Sequence, residues 1–265
     1  MTKEQMTPEK IGEAFDRALK TLETLRDEAV AVALDIRNAD RADEDGGDSD
    51  RSTLVMHMTF AELAQVCRRG DARKRFRVGD QIVAPHPRLG SILWDIVEIY
   101  TYKVVLQMHY AMRTFMPFDR PSQANRWGSN KWMTSSLRKW LNDPEGDGFL
   151  SGWDEDDIDA IDEQLLDTET EDEGVPATTM DRIYLLSTYE VFDMNGRPAA
   201  LSYYRGHPER RRKTIVDSGN EPTWWWLRSP SPGYTNDVRL VSPDGTLNSN
   251  GANNAYAVAA ACTIG

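Results

Sequence analysis

The first pattern along the chain is a heptad. Between Pro8 and Ile36 the apolar residues Ile11, Phe15, Ala18, Leu22, Leu25, Ala29, Val32 and Ile36 recur at alternating spacings of four and three. This stripe predicts one helix over residues 1–37, with Pro8 tolerated in the first turn, where its missing N–H would have no intrahelical partner. Two arrangements suit it. About four heptads suffice for a coiled coil, and hence a homo-oligomer through residues 8–36, whereas Val30, Ala33 and Leu34 widen the apolar face toward a helix lying on its own domain. The polar, acidic stretch 38–52, interrupted by Gly46 and Gly47, lacks the apolar surface to fold and predicts a flexible linker.

Beyond residue 53 the periods shorten. Thr59-Phe60-Ala61-Glu62 has the spacing of a capping box, opening a helix over residues 60–69 that Gly70 stops. Runs rich in β-branched and aromatic residues at 81–84, 91–100 and 102–109 predict antiparallel strands or a hairpin. Residues 135–141 predict a short helix capped at Thr134 or Ser135 and ended by Asn142-Asp143-Pro144. In the segment 154–173, Ile158, Ile161, Leu165 and Leu166 fall at helical spacing and predict a solvated helix with one apolar edge. Short strands follow at 182–187, 225–228, 238–241 and 257–261, with Asp244-Gly245 as a hairpin turn. The sum is an α+β fold of short strands, few helices and many loops over residues 53–265.

Composition narrows what such a fold could do. The chain has 265 residues, 40% hydrophobic with eight tryptophans, enough for one large or two modest domains. Its net charge is -12, and residues 154–173 alone hold twelve carboxylates and no basic residue. A pI near 4.9 without a basic stripe removes the electrostatic footprint of a nucleic-acid binder, although residues 210–213 are locally basic. No run approaches the roughly 18 apolar residues of a membrane span, and the first residues do not resemble a secretory signal. Cys67 and Cys262 are too far apart for a CxxC site and read as two buried thiols, a single disulfide being the alternative. His57, His86, His109 and His207 have no neighbour at metal-ligand spacing, and no nucleophile elbow, P-loop or dinucleotide fingerprint occurs. No catalytic residue, metal or cofactor is therefore expected.

The remaining signal is the C-terminal strip 224–265. Trp224, Trp225 and Trp226 precede a stretch in which Asn236, Asn248, Asn250, Asn253 and Asn254 alternate with small residues. That pairing suggests a rigid frame displaying polar contact residues, with function on the loops. Turn chemistry would account for one or two of the asparagines. Of the tryptophans, two should be core and one should line the edge of the face, and Arg228 should hold a carboxylate or carbonyls within the frame.

Four ordered segments carry a resemblance: 130–142 (NKWMTSSLRKWLN), 182–190 (RIYLLSTYE), 224–230 (WWWLRSP) and 238–247 (VRLVSPDGTL). Together they resemble a widespread uncharacterised domain of phage and gut-bacterial proteins, itself similar to the formylglycine-generating-enzyme type of C-type lectin fold and to the variable proteins of diversity-generating retroelements. The resemblance implies a non-catalytic domain that binds a protein or cell-surface ligand through exchangeable side chains, each reachable from an Asn codon by changes at adenines. Laid on this chain, those positions are Tyr234, Asn236, Asp237, Leu240, Ser242, Asn248, Ser249, Asn250, Gly251, Asn253, Asn254 and Tyr256. The implied frame is residues 224–230 with Val238, Arg239, Val241, Asp244, Gly245, Leu247 and Val258. Two features depart from the pattern: Cys67 and Cys262 do not match the paired cysteines of the catalytic members, and Ala257-Val258-Ala259-Ala260-Ala261 replaces the usual Gly-Val-x-Pro-Ala. An enzyme on the same fold and a structural virion component are the competing readings.

Overall fold

The computed structural model describes residues 52–168, 177–194, 196–215 and 221–265. The heptad helix and all but the last residue of the linker lie outside them. Among the described residues the fold is α+β, built from many short strands and five short α-helices.

Helix α1 (Phe60–Arg68) begins where its cap dictates: the Thr59 hydroxyl accepts the Glu62 N–H at 3.1 Å and the Glu62 carboxylate accepts the Thr59 N–H at 2.8 Å. Phe60, Leu63, Ala64, Val66 and Cys67 form its buried stripe. Gly70, at φ 71°, turns the chain out. A second turn of helix, α2 (Ala72–Arg75), leads into the main sheet. Strands β1 (Val55–His57), β2 (Gln81–His86), β3 (Gly90–Ile99) and β4 (Val104–Met108) are joined by two later ones, β8 (Ile183–Tyr184) and β15 (Ala261–Ile264). The order is β1-β2-β3-β4-β15-β8. Only the β1–β2 pair is parallel.

The two faces of this sheet differ in chemistry. Ile82, Trp94 and Met108 belong to one cross-strand set, and the Trp94 ring meets Phe60 of α1 edge-on at 5.5 Å. The alternating set on the other face places Gln81, Asp95 and Gln107 in one row, covered by Tyr203, Tyr204 and Lys213. A buried polar row must find its partners inside the protein, and this one does.

The remaining elements are shorter. They comprise β5 (Met116–Pro117), α3 (Ser136–Leu141), α4 (Glu155–Ala160), β6 (Gln164–Thr168), β7 (Ala177–Asp181) and α5 (Thr188–Val191). After them come β9 (Lys213–Thr214), β10 (Pro222–Thr223), β11 (Trp225–Pro230), β12 (Asp237–Val241), β13 (Leu247–Gly251) and β14 (Ala255–Tyr256). The Ser135 hydroxyl caps α3 by accepting the Arg138 N–H at 3.1 Å, one of the two caps expected.

Three expectations need correction. The acidic segment is not one helix: α4 stops at Ala160, and Gln164–Thr168 is a strand paired with β7. Ile161 turns extended to bridge Ile264, and Asp162 donates to the Thr263 carbonyl at 2.9 Å, so tertiary pairing overrides the helical spacing. Within 182–187 only Ile183–Tyr184 pairs as strand. The expected strand 257–261 is fully buried but changes partners, Trp226 and Met112 donating to the carbonyls of Ala257 and Val258 and Met108 to that of Ala260; only Ala261 enters the sheet. Cys67 and Cys262 are free buried thiols, and burial pushes the Cys67 thiol up to about 11. No helix among the described residues is long and apolar enough to cross a membrane.

Candidate functional site

The frame of the C-terminal strip is the three-stranded sheet β11-β12-β13. Every residue of β11 is buried. Trp225 and Trp226 are the core pair, their indole N–H groups donating at 2.9 Å to the carbonyls of Arg211 and Met116, while Trp224 is half-buried beside Tyr256. Arg228 donates to the Leu185 carbonyl at 2.8 Å and grips Glu190 with both Nη atoms, the bidentate pairing its fork favours.

Strands β12 and β13 meet at a turn whose centre is fixed twice. Gly245 sits at φ 87°, and a Cβ there would stand 3.2 Å from the Pro208 carbonyl oxygen, so the site demands glycine. Asp244 accepts from the Ser242 and Thr246 hydroxyls and the Thr246 N–H, donors that hold its carboxyl down to about 2.

The twelve expected contact positions separate on this frame. Leu240 is 0% exposed and Ser242 5%, so neither presents a side chain to a ligand. Leu240 lies between Trp226 and Asn248 in register, inside the packed layer, and the Ser242 hydroxyl is spent on the turn network. Tyr234, Asn248 and Asn254 are exposed; Asn236, Asp237, Ser249, Asn250, Gly251, Asn253 and Tyr256 are half-buried. Several are tied to one another. Asn250 donates to the Tyr256 hydroxyl and accepts from Asn254, both at 2.6 Å, and the Tyr256 ring stands edge-on to Trp226 at 5.0 Å. The Oδ1 atoms of Asn248 and Asn250 each accept the next backbone N–H, from Ser249 and Gly251, at 2.8 Å. Ala252 donates inward to the Asn236 carbonyl, so by strand alternation the Ser249 and Gly251 amides face away from β12, along the sheet's outer edge.

A further loop belongs to this face. Asn130 donates to the Tyr234 carbonyl at 2.5 Å, Asp119 to that of Ala252 at 3.0 Å, and Asn253 to that of Arg126 at 3.5 Å. These bonds stitch the segment 119–130 to the residues that flank β12 and β13, 234–236 and 252–253. It brings Trp127, with the Arg126 guanidinium 4.9 Å from its ring centre. Trp127 is 53% exposed and Tyr234 59%. Arg126 and Trp127 were not among the expected contacts, yet the chain marks them: Trp127 is the one large apolar residue between Phe118 and Trp132.

Elsewhere the fold gathers one titratable cluster from distant segments. His109 Nδ1 lies 2.8 Å from an Asp95 carboxylate oxygen that also accepts from Gln81 at 2.9 Å; the carboxylate can only accept, so the proton sits on Nδ1. Lys213 Nζ donates to the Met108 carbonyl at 2.6 Å and stands 3.5 Å from Asp95. Burial pushes the Asp95 carboxyl up, but Lys213, His109 and Gln81 outweigh it and leave it below the usual range; burial lowers Lys213. Asp95 and Lys213 are each 2% exposed at the side chain, a buried pair that holds the cover onto the sheet.

A family model described as a domain of unknown function, DUF6273, matches residues 99–265, more than half of the chain. The chain belongs to that family. No curated protein and no solved structure matches it. The DUF6273 span contains the hairpin sheet, the segments 232–236 and 252–256 and the 119–130 loop. Strands β1 and β2 and nearly all of β3 precede it and extend the main sheet from β4 outward.

Proposed function

We propose that the chain is a non-catalytic binding protein of C-type-lectin-like fold whose recognition face joins the segments 232–236 and 252–256, the outer edge of β13 and the loop 119–130. The ligand is a protein or a cell-surface molecule. Two exposed aromatic side chains, Trp127 and Tyr234, on segments tied together by Asn130, whose side chain and N–H donate to the Tyr234 and Thr235 carbonyls, carry this reading. Aromatic side chains supply much contact area for few rotors, and anchored loops lose little freedom on binding. The retroelement resemblance adds that the outward residues are exchanged between variants, now without Leu240 and Ser242.

Two measurements test the reading. Sequencing the locus across close strains should find substitutions concentrated at Tyr234, Asn236, Asn248, Asn250, Asn253 and Asn254, with Trp225, Trp226, Leu240 and Gly245 constant; a uniformly conserved strip would remove diversification. The full chain, screened against immobilised bacterial and host surface proteins and glycans, should bind a member of the panel. Trp127→Ala with Tyr234→Ala should weaken that binding by roughly 10-fold or more, as expected for aromatic anchors. Unchanged binding in the double variant, or none by the full chain, would count against the face.

A further inference from the structure

A cleft of 630 Å³ opens between the β2–β3 turn and the chain leaving β4, well away in sequence from the hairpin face. Pockets of this size hold one small molecule. Its apolar wall is built from Ile92, Leu93, Met108 and Met112 with Tyr110 beside them, and its charged lining residues are Arg88 and Arg113. Among the described residues no carboxylate lines it. In a chain of net charge -12, a cleft that sets a cation, Arg88, and the hydroxyls of Ser91, Tyr110 and Thr114 beside an apolar wall favours an anion with an apolar body.

The turn that carries Arg88 is held from two sides. His86, 3% exposed, accepts the backbone N–H groups of Arg88 at 3.1 Å and Leu89 at 3.2 Å on its Nδ1, and its Nε2 lies 3.0 Å from the Phe149 carbonyl. A nitrogen that receives two N–H groups carries no proton, so the ring is neutral and Nε2–H donates to Phe149. Burial, reinforced by Arg88, pushes the His86 pKa down and keeps that state. The Arg88 guanidinium donates to the carbonyls of Gly146, Asp147 and Gly148, while the Asp147 carboxylate stands 3.9 Å off and fully exposed. Carbonyls fix a guanidinium without cancelling its charge. Three of its five N–H donors are taken and two remain.

We propose that this cleft binds a small amphiphilic carboxylate, its head on Arg88 and its tail against Ile92, Met108 and Met112. The site joins residues ahead of the DUF6273 span to residues inside it, and it is independent of the hairpin face.

The test is calorimetric titration of the full chain with dodecanoate, dodecanol and dodecylamine, each below its micellar concentration. Dodecanoate should bind saturably at one site, and dodecanol and dodecylamine at least about 10-fold more weakly, the loss expected when a charge-assisted contact is removed. Arg88→Gln should bring dodecanoate down to the affinity of dodecanol and leave dodecanol unmoved, whereas Arg88→Lys should retain most of the preference. Met112→Trp, which fills the cleft without touching the 146–148 loop, should weaken both ligands. Equal affinity for the three head groups, no saturable binding, or indifference to Met112→Trp in a variant whose unfolding midpoint is unchanged would overturn the proposal.

Discussion

Leu240 and Asn248 face each other across β12 and β13, and the same codon logic marks both as exchangeable, yet one is sealed in the core and the other stands in water. The difference is position in the sheet. Leu240 sits on the central strand next to Trp226, while Asn248 sits on the outermost one. Leu240→Ala should cost about 2–5 kcal/mol through lost burial and a residual cavity. Asn254→Ala, at an exposed loop position, should stay within about 0.5 kcal/mol. Urea denaturation of both variants checks this, and equal effects would contradict the placement. At this scale the chain was legible wherever residue type alone decides the environment: two of the three tryptophans as core, Arg228 on a carboxylate or carbonyls, Gly245 at a turn. Ser242 was not, because a buried serine and a displayed one differ only in the partners the fold brings to them.

Among elements, those specified within a few residues are the ones the sequence predicts. The Thr59–Glu62 box and the Ser135 cap each depend on atoms three residues apart, and both helices start where those residues say. Strand β6 depends on β7, beyond the acidic run, so Leu165 and Leu166, read at helical spacing, stand on opposite faces of a strand, one exposed and the other buried. The β2–β3 turn is likewise set from a distance, by His86 on Phe149. Its protonation behaviour yields a prediction. The folded-state pKa of His86 is depressed below 6.5, so between that lower value and 6.5 the unfolded chain binds a proton the folded chain refuses. The stability contributed by neutral His86 is therefore complete above pH 6.5 and lost as pH falls through the folded pKa. Thermal unfolding of the wild type and His86→Gln from pH 8 to 5 should show the wild-type advantage shrinking on acidification. An advantage that grew would reverse the assignment.

For the whole molecule, the decisive contacts are those that no local pattern encodes. Asp95, His109 and Lys213 come from three regions of the chain, and the Trp127 loop reaches the strip through its bonds to the carbonyls of Tyr234, Thr235 and Ala252 and through the Asn253 amide on the Arg126 carbonyl. Motif order conveyed the α+β class and the frame; the partners of polar side chains had to be read from the fold. One of those partnerships reaches beyond the single molecule. Asn248 and Asn250 occupy the outward N–H groups of Ser249 and Gly251, the row that an edge strand otherwise offers to any other chain. Asn248→Val with Asn250→Val should free both amides while raising strand propensity. Light scattering at rising concentration should then show association beyond that of the wild type, and a particle size unchanged from the wild type would argue against the guard. Any replacement at these two positions would thus bear on solubility: Asp or Ser would keep an oxygen near the edge, whereas an apolar residue would add contact surface and, in the same step, stickiness between copies.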